Sequence, residues 1–248
     1  MSELPTIIKT IRKVFVLPQS EIPKIAQLWK RATNKTLPQD RAIQEFIGIL
    51  KSLKVMPTTQ AKSSYKSSSA IELLGDYRPK SVLDIGAGRG IIVQAMGEHY
   101  GLDRSAIFGI DLQEIGNPNI TVLKYGENGQ IPLPDGSVDV IILMSVLHHI
   151  PPDSRKLVMA EITRVLAPDG RVVIREHDGD GTFAFWMFLE FVHYVWYVAY
   201  DEHYDPLYLL SKQELIQLFA DFGLTQIAEK NVNGQNPQRM YESIFERS

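Results

Sequence analysis

The sequence predicts an α/β protein in which a mostly parallel β-sheet is covered by helices on both faces. Short apolar runs alternate with helical runs from residue 81 onward, and glycines follow the first apolar run. The first 55 residues show only helical spacing of apolar side chains. Because apolar strands flanked by helices are typical of a buried parallel sheet, we expect a helical cap and linker at 1–66 and an α/β domain at 67–248.

The composition is that of an ordinary globular protein, with 248 residues, 44% of them hydrophobic and 22% charged. There is no cysteine. This excludes thiolate zinc sites, iron–sulfur clusters, disulfides and Cys nucleophiles. The N-terminus lacks a basic start followed by an apolar region, so we expect no secretory signal and a cytoplasmic protein.

Charge is distributed unevenly along the chain. Residues 1–80 contain 14 Lys and Arg against six Asp and Glu, whereas residues 81–248 contain 12 against 23. A basic first segment indicates either an anionic partner such as RNA, an intramolecular docking face, or a solvated helical arm.

The elements follow in order. Apolar residues at steps of three and four predict helices over 20–34 and 38–54, then a Ser-, Thr- and Lys-rich linker over 55–70 and a short helix at 70–77. Strands are predicted at 81–86, 106–111, 119–125, 137–145, 170–176, 224–232 and 240–246, and helices at 89–101, 153–167, 182–200 and 211–223. The last two strands alternate in polarity, which indicates an antiparallel edge pair.

The segment 182–200 is nearly long enough to cross a bilayer, but Glu190 and His193 lie near its middle. A charge there costs a few kcal/mol in lipid, so we interpret it as a buried or interface helix and expect no membrane span.

The strongest motif is a glycine loop between the first strand and its helix, with Gly86, Gly88 and Gly90 spaced G-x-G-x-G. The dinucleotide pattern would need glycine at position 91, where the chain has Ile91. Asp84 in the preceding strand is suited to a cationic ligand rather than to a pyrophosphate. Asp111, at the end of the next strand, can accept from both hydroxyls of a ribose. The loop therefore predicts a positively charged nucleoside without phosphate.

At these residues the chain resembles the class I S-adenosylmethionine-dependent methyltransferases, over Ser81 to Phe245. Four ordered motifs carry the resemblance: LDIGAGRG, IFGIDLQE, YGENGQIPLPDGSVDVIILMSVLHHI and RVLAPDGRVVIREHD. The resemblance implies a Rossmann-like seven-stranded sheet of order 3-2-1-4-5-7-6, an N-terminal helical cap, and methyl transfer from S-adenosylmethionine.

The resemblance also implies the cofactor-binding residues. Gly86 and Gly88 approach the methionine half, Asp84 orients its amino group, and Asp111 binds the ribose. Glu127 and Asn128 are placed at the adenine, and the Ser145 backbone faces the methionine ammonium. The remaining residues of this predicted site are Ala87, Gly90 and Leu112.

Candidate catalytic residues follow the fourth and fifth strands, whose carboxyl ends form the crevice where α/β sheets bind ligands. They are His149 of the pair His148–His149, and Glu176 and His177. A helix-start pair bonded to backbone is the alternative for the two histidines. Three ionisable residues at 176–178 are costly at a strand end unless they are used or paired. No ligand set has diagnostic metal spacing, so no metal site is expected.

One stripe of the aromatic segment contains Trp186, Glu190, His193 and Tyr197 at steps of four, three and four. We predict that it lines the acceptor pocket or forms a homodimer face.

The resemblance leaves the acceptor open. A small molecule methylated on oxygen or nitrogen is favoured, and a non-catalytic binding subunit is one alternative. The other is an RNA cap or ribose 2′-O methyltransferase, because Lys66, Arg175 and Glu242 match three positions of that group's Lys-Asp-Lys-Glu tetrad, with Arg175 as a substrate residue. The tetrad's Asp has no counterpart, since Ser145 and Val146 occupy that region.

Overall fold

In a computed structural model of the protein, the described part of the chain groups into two compact units. The structure describes residues 18–33, 41, 45, 67–181, 185, 186, 189, 190, 193, 207–232 and 239–248. One unit comprises 1–64 with 179–207, and the other comprises 65–178 with 208–248. Residues 179–207 thus group with the N-terminal segment, and the boundary predicted at residues 66 and 67 stays a prediction.

The described part of the first unit contains helix α1 (Ile22–Thr33), preceded by a 3-10 turn at Gln19–Glu21. Ile25 and Leu28 are buried one turn apart on α1. Arg31 of α1 forms an ion pair with Glu45 at 2.8 Å. These residues have the amphipathic spacing that predicted a helix here.

The second unit contains the sheet. Its helices are α2 (Ser67–Leu74), α3 (Ile91–Tyr100), α4 (Pro152–Val165) and α5 (Lys212–Ala220). Its strands are β1 (Val82–Ile85), β2 (Ile107–Ile110), β3 (Thr121–Leu123), β4 (Val138–Met144), β5 (Leu166–His177), β6 (Leu224–Asn231) and β7 (Met240–Arg247).

The strands form one seven-stranded sheet in the order β3-β2-β1-β4-β5-β7-β6. The pairs from β3 to β5 are parallel, and β7 runs antiparallel to both β5 and β6. The predicted strand order and the antiparallel closing pair are confirmed.

Two apolar clusters cover the two faces of the sheet. One lies under α4 and α5 and includes Leu143, Ile174 and Phe219. The other lies under α2 and α3 and includes Ile142, Val173 and Met96. The alternation of neighbours such as Val173 and Ile174 between the two faces follows from the period of a β-strand. Because β1, β2, β4 and β5 run parallel, their carboxyl ends lie at one edge of the sheet, where the candidate site residues of this unit are found.

No helix in the described ranges is both long and apolar enough to cross a membrane. Most of the segment 182–200 lies outside the described residues, so this finding does not cover it.

Candidate functional site

The glycine loop turns β1 into α3 through three residues with left-handed backbone. Gly86, Gly88 and Gly90 have φ values of 72°, 53° and 67°, a region that favours glycine. A Cβ on Gly86 would lie 2.6 Å from Cγ2 of Val146, whereas a Cβ on Gly88 would meet no heavy atom within 4 Å. The loop is therefore packed at Gly86 and open at Gly88.

Asp84 lies beneath this loop and is only 2% exposed. Its Oδ1 has no hydrogen-bond partner among the residues that the structure describes. Burial raises the pKa of Asp84 well above its ordinary value, and the nearby charge of Asp111 raises it further. A buried carboxylate oxygen without a donor is costly, so the position favours a cationic or hydrogen-bond-donating ligand.

Asp111, the first residue after β2, is held by two backbone donors. Its Oδ2 accepts from the Gly88 N–H at 2.7 Å, and its Oδ1 accepts from the Gln113 N–H at 3.0 Å. The next residue, Leu112, is 93% exposed. The Asp111 carboxylate is thus fixed against the glycine loop, and the side chain of Leu112 beside it is exposed.

Tyr125 also lies near Asp111. Burial and the Asp111 charge raise the pKa of the Tyr125 phenol to about 12. The 3-10 turn Glu127–Gly129 follows, with Asn128 at φ 59°. Glu127 and Asn128 are exposed, which leaves both side chains accessible to a ligand.

Ser145, the first residue after β4, has a left-handed conformation with φ 65°. Its N–H donates to the carbonyl oxygen of Arg175 at 2.8 Å. Within the described ranges, its buried Oγ has no hydrogen-bond partner. A non-glycine residue held at positive φ costs of order 1–3 kcal/mol and is typical of functional sites.

These features can be tested against the predicted charged nucleoside. Asp84 Oδ1 and Ser145 Oγ have no hydrogen-bond partner among the described residues, and a Cβ on Gly88 would fill open space. These features fit a cationic amino group placed against bare main chain. The fixed carboxylate of Asp111 fits a ribose. The residues present therefore fit S-adenosylmethionine.

Glu176, near the end of β5, makes contacts that connect two strands. Its Oε1 accepts from the backbone N–H groups of Val146 at 3.0 Å and Leu147 at 2.8 Å. Its Oε2 lies 2.5 Å from Nδ1 of His148. Burial raises the pKa of Glu176, while His177, the two backbone donors and His149 act in the opposite direction.

The imidazole rings of His149 and His177 both lie next to the ring of His148. The His148 ring centroid lies 4.2 Å from that of His149 and 5.0 Å from that of His177, the latter in an edge-on arrangement. The sequence pointed to His149 as the candidate, but the histidine bonded to Glu176 is His148. A narrow gap at this position, too small to hold a water molecule, is surrounded by Leu147, His148, Glu176, His177, Leu210 and Leu215.

Arg175 points to the opposite face of the sheet from Glu176. Its Nε donates to Oε1 of Glu242 at 2.8 Å, and a second guanidinium nitrogen contacts the same oxygen. Ser69 of α2 donates to Oε2 of Glu242 at 2.5 Å. Glu242 is 0% exposed and Arg175 is buried. Lys66, predicted to join these residues in a tetrad, lies outside the described residues.

In the first unit, the stripe residues Trp186, Glu190 and His193 are helical, and Tyr197 lies outside the described residues. Glu190 is 2% exposed, and its Oε1 accepts from the Leu207 N–H at 3.3 Å. In the part of the chain that is described, its Oε2 has no partner. Burial raises the pKa of Glu190 to about 7.

Tyr241 pairs with Glu176 across β5 and β7, although no sequence motif marks it as a candidate site residue. Its ring is buried with the Lys212 Nζ 4.7 Å from the centroid, and burial raises the pKa of its phenol. The alternating polarity of the β7 sequence indicates that Tyr241 faces inward. It does not indicate that the neighbouring residue on β5 is the buried carboxyl of Glu176.

The chain is similar to a family of known proteins. Residues 60–229 match a family model described as a methyltransferase domain. A protein of Mycobacterium bovis named as an uncharacterized methyltransferase is 35% identical over 107 residues, which is 42% of this chain and 42% of that protein. One of Mycolicibacterium smegmatis, named as a probable S-adenosylmethionine-dependent methyltransferase, is 30% identical over 34% of this chain and 36% of its own length. The chain thus spans well under half the length of these curated relatives.

Two solved structures share the fold. An S-adenosylmethionine-dependent methyltransferase from Aquifex aeolicus has a TM-score of 0.52 and 21% identity, covering 73% of this chain and 89% of that one. A geranyl diphosphate C-methyltransferase from Streptomyces coelicolor, solved with Mg²⁺, geranyl diphosphate and S-adenosylhomocysteine, has a TM-score of 0.55 and 14% identity, covering 73% and 76%. At these identities the likeness shows the fold alone.

Proposed function

The chain belongs to the class I S-adenosylmethionine-dependent methyltransferases, and we propose that it methylates an oxygen or nitrogen atom of a small molecule. When bound, S-adenosylmethionine supplies a methyl group that its sulfonium charge already activates. The chain's own residues must therefore align the acceptor and remove a proton where the acceptor requires it.

The cofactor-binding residues have distinct proposed roles. Asp84, whose Oδ1 has no partner in the described ranges, orients the methionine amino group, and the Ser145 backbone faces the same group. Asp111 binds the ribose hydroxyls. Glu127, with Asn128, accepts from the adenine amino group. The glycine loop, including Ala87, and Leu112 provide the apolar and main-chain contacts.

The pair formed by Glu176 and His148 is the observation that carries the acceptor side of the proposal. A carboxylate bonded to Nδ1 of a histidine fixes the ring and raises the basicity of its other nitrogen. The histidine of such a pair can accept the proton that a hydroxyl or protonated nitrogen must lose before it attacks a methyl group. His149 and His177, whose rings adjoin His148, are the other proposed residues at this position.

The aromatic stripe is proposed to recognise the acceptor. Among the described residues, Trp186, His193 and Glu190, whose Oε2 has no partner there, fit an acceptor with an apolar body and a hydrogen-bond donor. Tyr197 stays a proposed member of the stripe from its sequence position alone.

The buried ion pair counts against the RNA alternative. Both oxygens of Glu242 are engaged, one by Arg175 and the other by Ser69. Arg175 and Glu242 are thereby buried against each other, so neither is exposed to an RNA strand. We therefore favour a small molecule over a ribose hydroxyl.

The test is methyl transfer from tritiated S-adenosylmethionine into separated fractions of a lysate. We expect label in the small-molecule fraction, unaffected by ribonuclease, and none with the Asp111→Ala variant. Label that ribonuclease releases from RNA would overturn the small-molecule acceptor. No label in any fraction, with cofactor binding intact, would indicate a binding subunit.

A further inference from the structure

The connection between β2 and β3 is unusual because residues 111–120 contain no helix. Parallel strands are ordinarily joined by a crossover of a dozen or more residues, most often through a helix. Here Ile115 and Ile120 bury their side chains in the apolar cluster under α3. This short crossover begins with Asp111, so its arrangement determines where the ribose-binding carboxylate lies.

Asn117 connects this crossover to the glycine loop. Its Nδ2 donates to Oε1 of Gln94 at 2.9 Å and lies 3.2 Å and 3.4 Å from the carbonyl oxygens of Arg89 and Gly90. Its Oδ1 accepts from the Asn119 N–H at 3.0 Å. One amide thus contacts the end of the glycine loop, the first turn of α3 and its own crossover.

The contacts of Asn117 support the end of the glycine loop where α3 begins. Gly90 precedes α3 as its N-cap, and no side chain caps the helix there. Its position is also tight, because a Cβ would lie 2.5 Å from Cδ1 of Ile120 and 3.3 Å from Nδ2 of Asn117. The crossover therefore packs directly against the glycine that begins the helix.

We propose that Asn117 is a positioning residue for the cofactor. Asp111 joins the crossover to Gly88 at one point, and Asn117 joins it to Arg89 and Gly90 at a second. Together with the buried side chains of Ile115 and Ile120, these two polar attachments fix the orientation of the crossover relative to the loop. Asn117 thereby holds the methionine-binding and ribose-binding parts of the site in one arrangement, without touching the cofactor itself.

The experiment is calorimetric titration of the full chain with S-adenosylhomocysteine, which needs no acceptor. Asn117→Ala removes all the contacts of the amide. Asn117→Asp keeps an acceptor for the Asn119 N–H, but it lacks the Nδ2 donors and turns a carboxylate toward two carbonyl oxygens. Asn119→Ala is the matched control, since it removes an exposed amide from the same crossover.

Losing two hydrogen bonds that organise the site is expected to weaken binding about tenfold in both Asn117 variants, with Asn119→Ala unchanged. Without ligand, the variants should unfold within about 3 °C of the control, a shift that corresponds to a small change in stability. A merely structural role would lower that temperature and leave the affinity alone.

Binding within twofold of wild type in both Asn117 variants would overturn the proposal. If Asn117→Ala does not fold, Asn117→Asp decides the question. Absence of binding by the wild-type chain is a different result, because it would contradict the cofactor itself rather than the role of Asn117.

Discussion

Oε2 of Glu176 lies 2.5 Å from Nδ1 of His148, and both side chains are buried. The other oxygen of the same carboxyl binds the N–H groups of Val146 and Leu147. One side chain from β5 therefore fixes both the turn that follows β4 and the orientation of an imidazole in that turn. We therefore propose that Glu176 is a positioning residue for His148.

We expect Glu176→Gln to lower methyl transfer by about a hundredfold or more, because it removes the carboxylate that orients the proposed general base His148, and general-base catalysis usually contributes that much. The amide retains the size of the side chain but cannot form the charge-assisted bond that holds His148. Affinity for S-adenosylhomocysteine should change by less than about threefold, since the interaction removed is not to the cofactor. Initial rates with labelled cofactor measure the effect, and Glu246→Gln on β7 is the control. Wild-type rates in Glu176→Gln would remove this residue from the mechanism.

Gly88→Ala should separate folding from cofactor binding. Gly88 and Gly75 have similar φ values, 53° and 58°, and a Cβ on either would meet no heavy atom within 4 Å. Both alanine variants should therefore lose about 1–2 kcal/mol of unfolding free energy from backbone strain.

Only Gly88→Ala should also lose S-adenosylhomocysteine binding, because its new methyl group occupies the space beside the loop. Denaturant unfolding and calorimetry on both variants make the comparison. Equal binding by the two would mean that the open space at Gly88 is not part of the site.

The buried carboxyl of Glu190 predicts a pH dependence of stability. Its pKa of about 7 in the folded chain exceeds the ordinary value of 4.5, so the folded state binds more protons between these values. Stability should therefore fall as pH rises from about 4.5 to 7 and stay lowered above that range.

Glu190→Gln removes this penalty. Its stability advantage over wild type should grow by on the order of 2–3 kcal/mol between pH 5 and pH 8, as the shift in pKa requires. Urea unfolding at the two pH values measures it. A difference that stays constant with pH would show that Glu190 titrates normally.

Arg175 and Glu242 should behave as a coupled pair. Arg175→Met leaves the fully buried carboxylate of Glu242 without its cation, at an expected cost of about 3–5 kcal/mol. In the double variant Arg175→Met/Glu242→Leu that carboxylate is gone, so most of the loss should be recovered. A double variant no more stable than Arg175→Met would contradict a buried ion pair between Arg175 and Glu242. Arg175 would then again be a candidate substrate-binding residue.

Much of the fold could be predicted because its signals are local. The seven strands were visible as apolar runs, and the glycine loop marked the first turn from strand to helix. Boundaries were less accurate: β3 begins at Thr121 rather than 119, and β5 begins at Leu166 rather than 170. The β5 difference arises because the chain passes directly from α4 into an extended segment, with an irregular register against β4.

The site was harder to predict where side-chain direction depends on the backbone. The choice between His148 and His149 depends on Ser145, whose positive φ turns the chain after β4, and serine gives no sequence signal for that conformation. Asn117 was missed for a similar reason, because its partners lie in another loop. The cofactor roles of Asp84, Gly88 and Asp111 stay predictions, but their placement could be predicted, since Asp84 lies near the end of β1, Gly88 in the loop after it, and Asp111 directly after β2.

The glycine loop and Asp111 are proposed to hold S-adenosylmethionine together. Titrating wild-type protein and Asp111→Ala with S-adenosylhomocysteine tests it most directly. We predict saturable binding by the wild type and an affinity at least about tenfold lower in the variant, because a charged acceptor for the ribose is lost. Equal affinities in the two proteins, or no binding by either, would contradict the account.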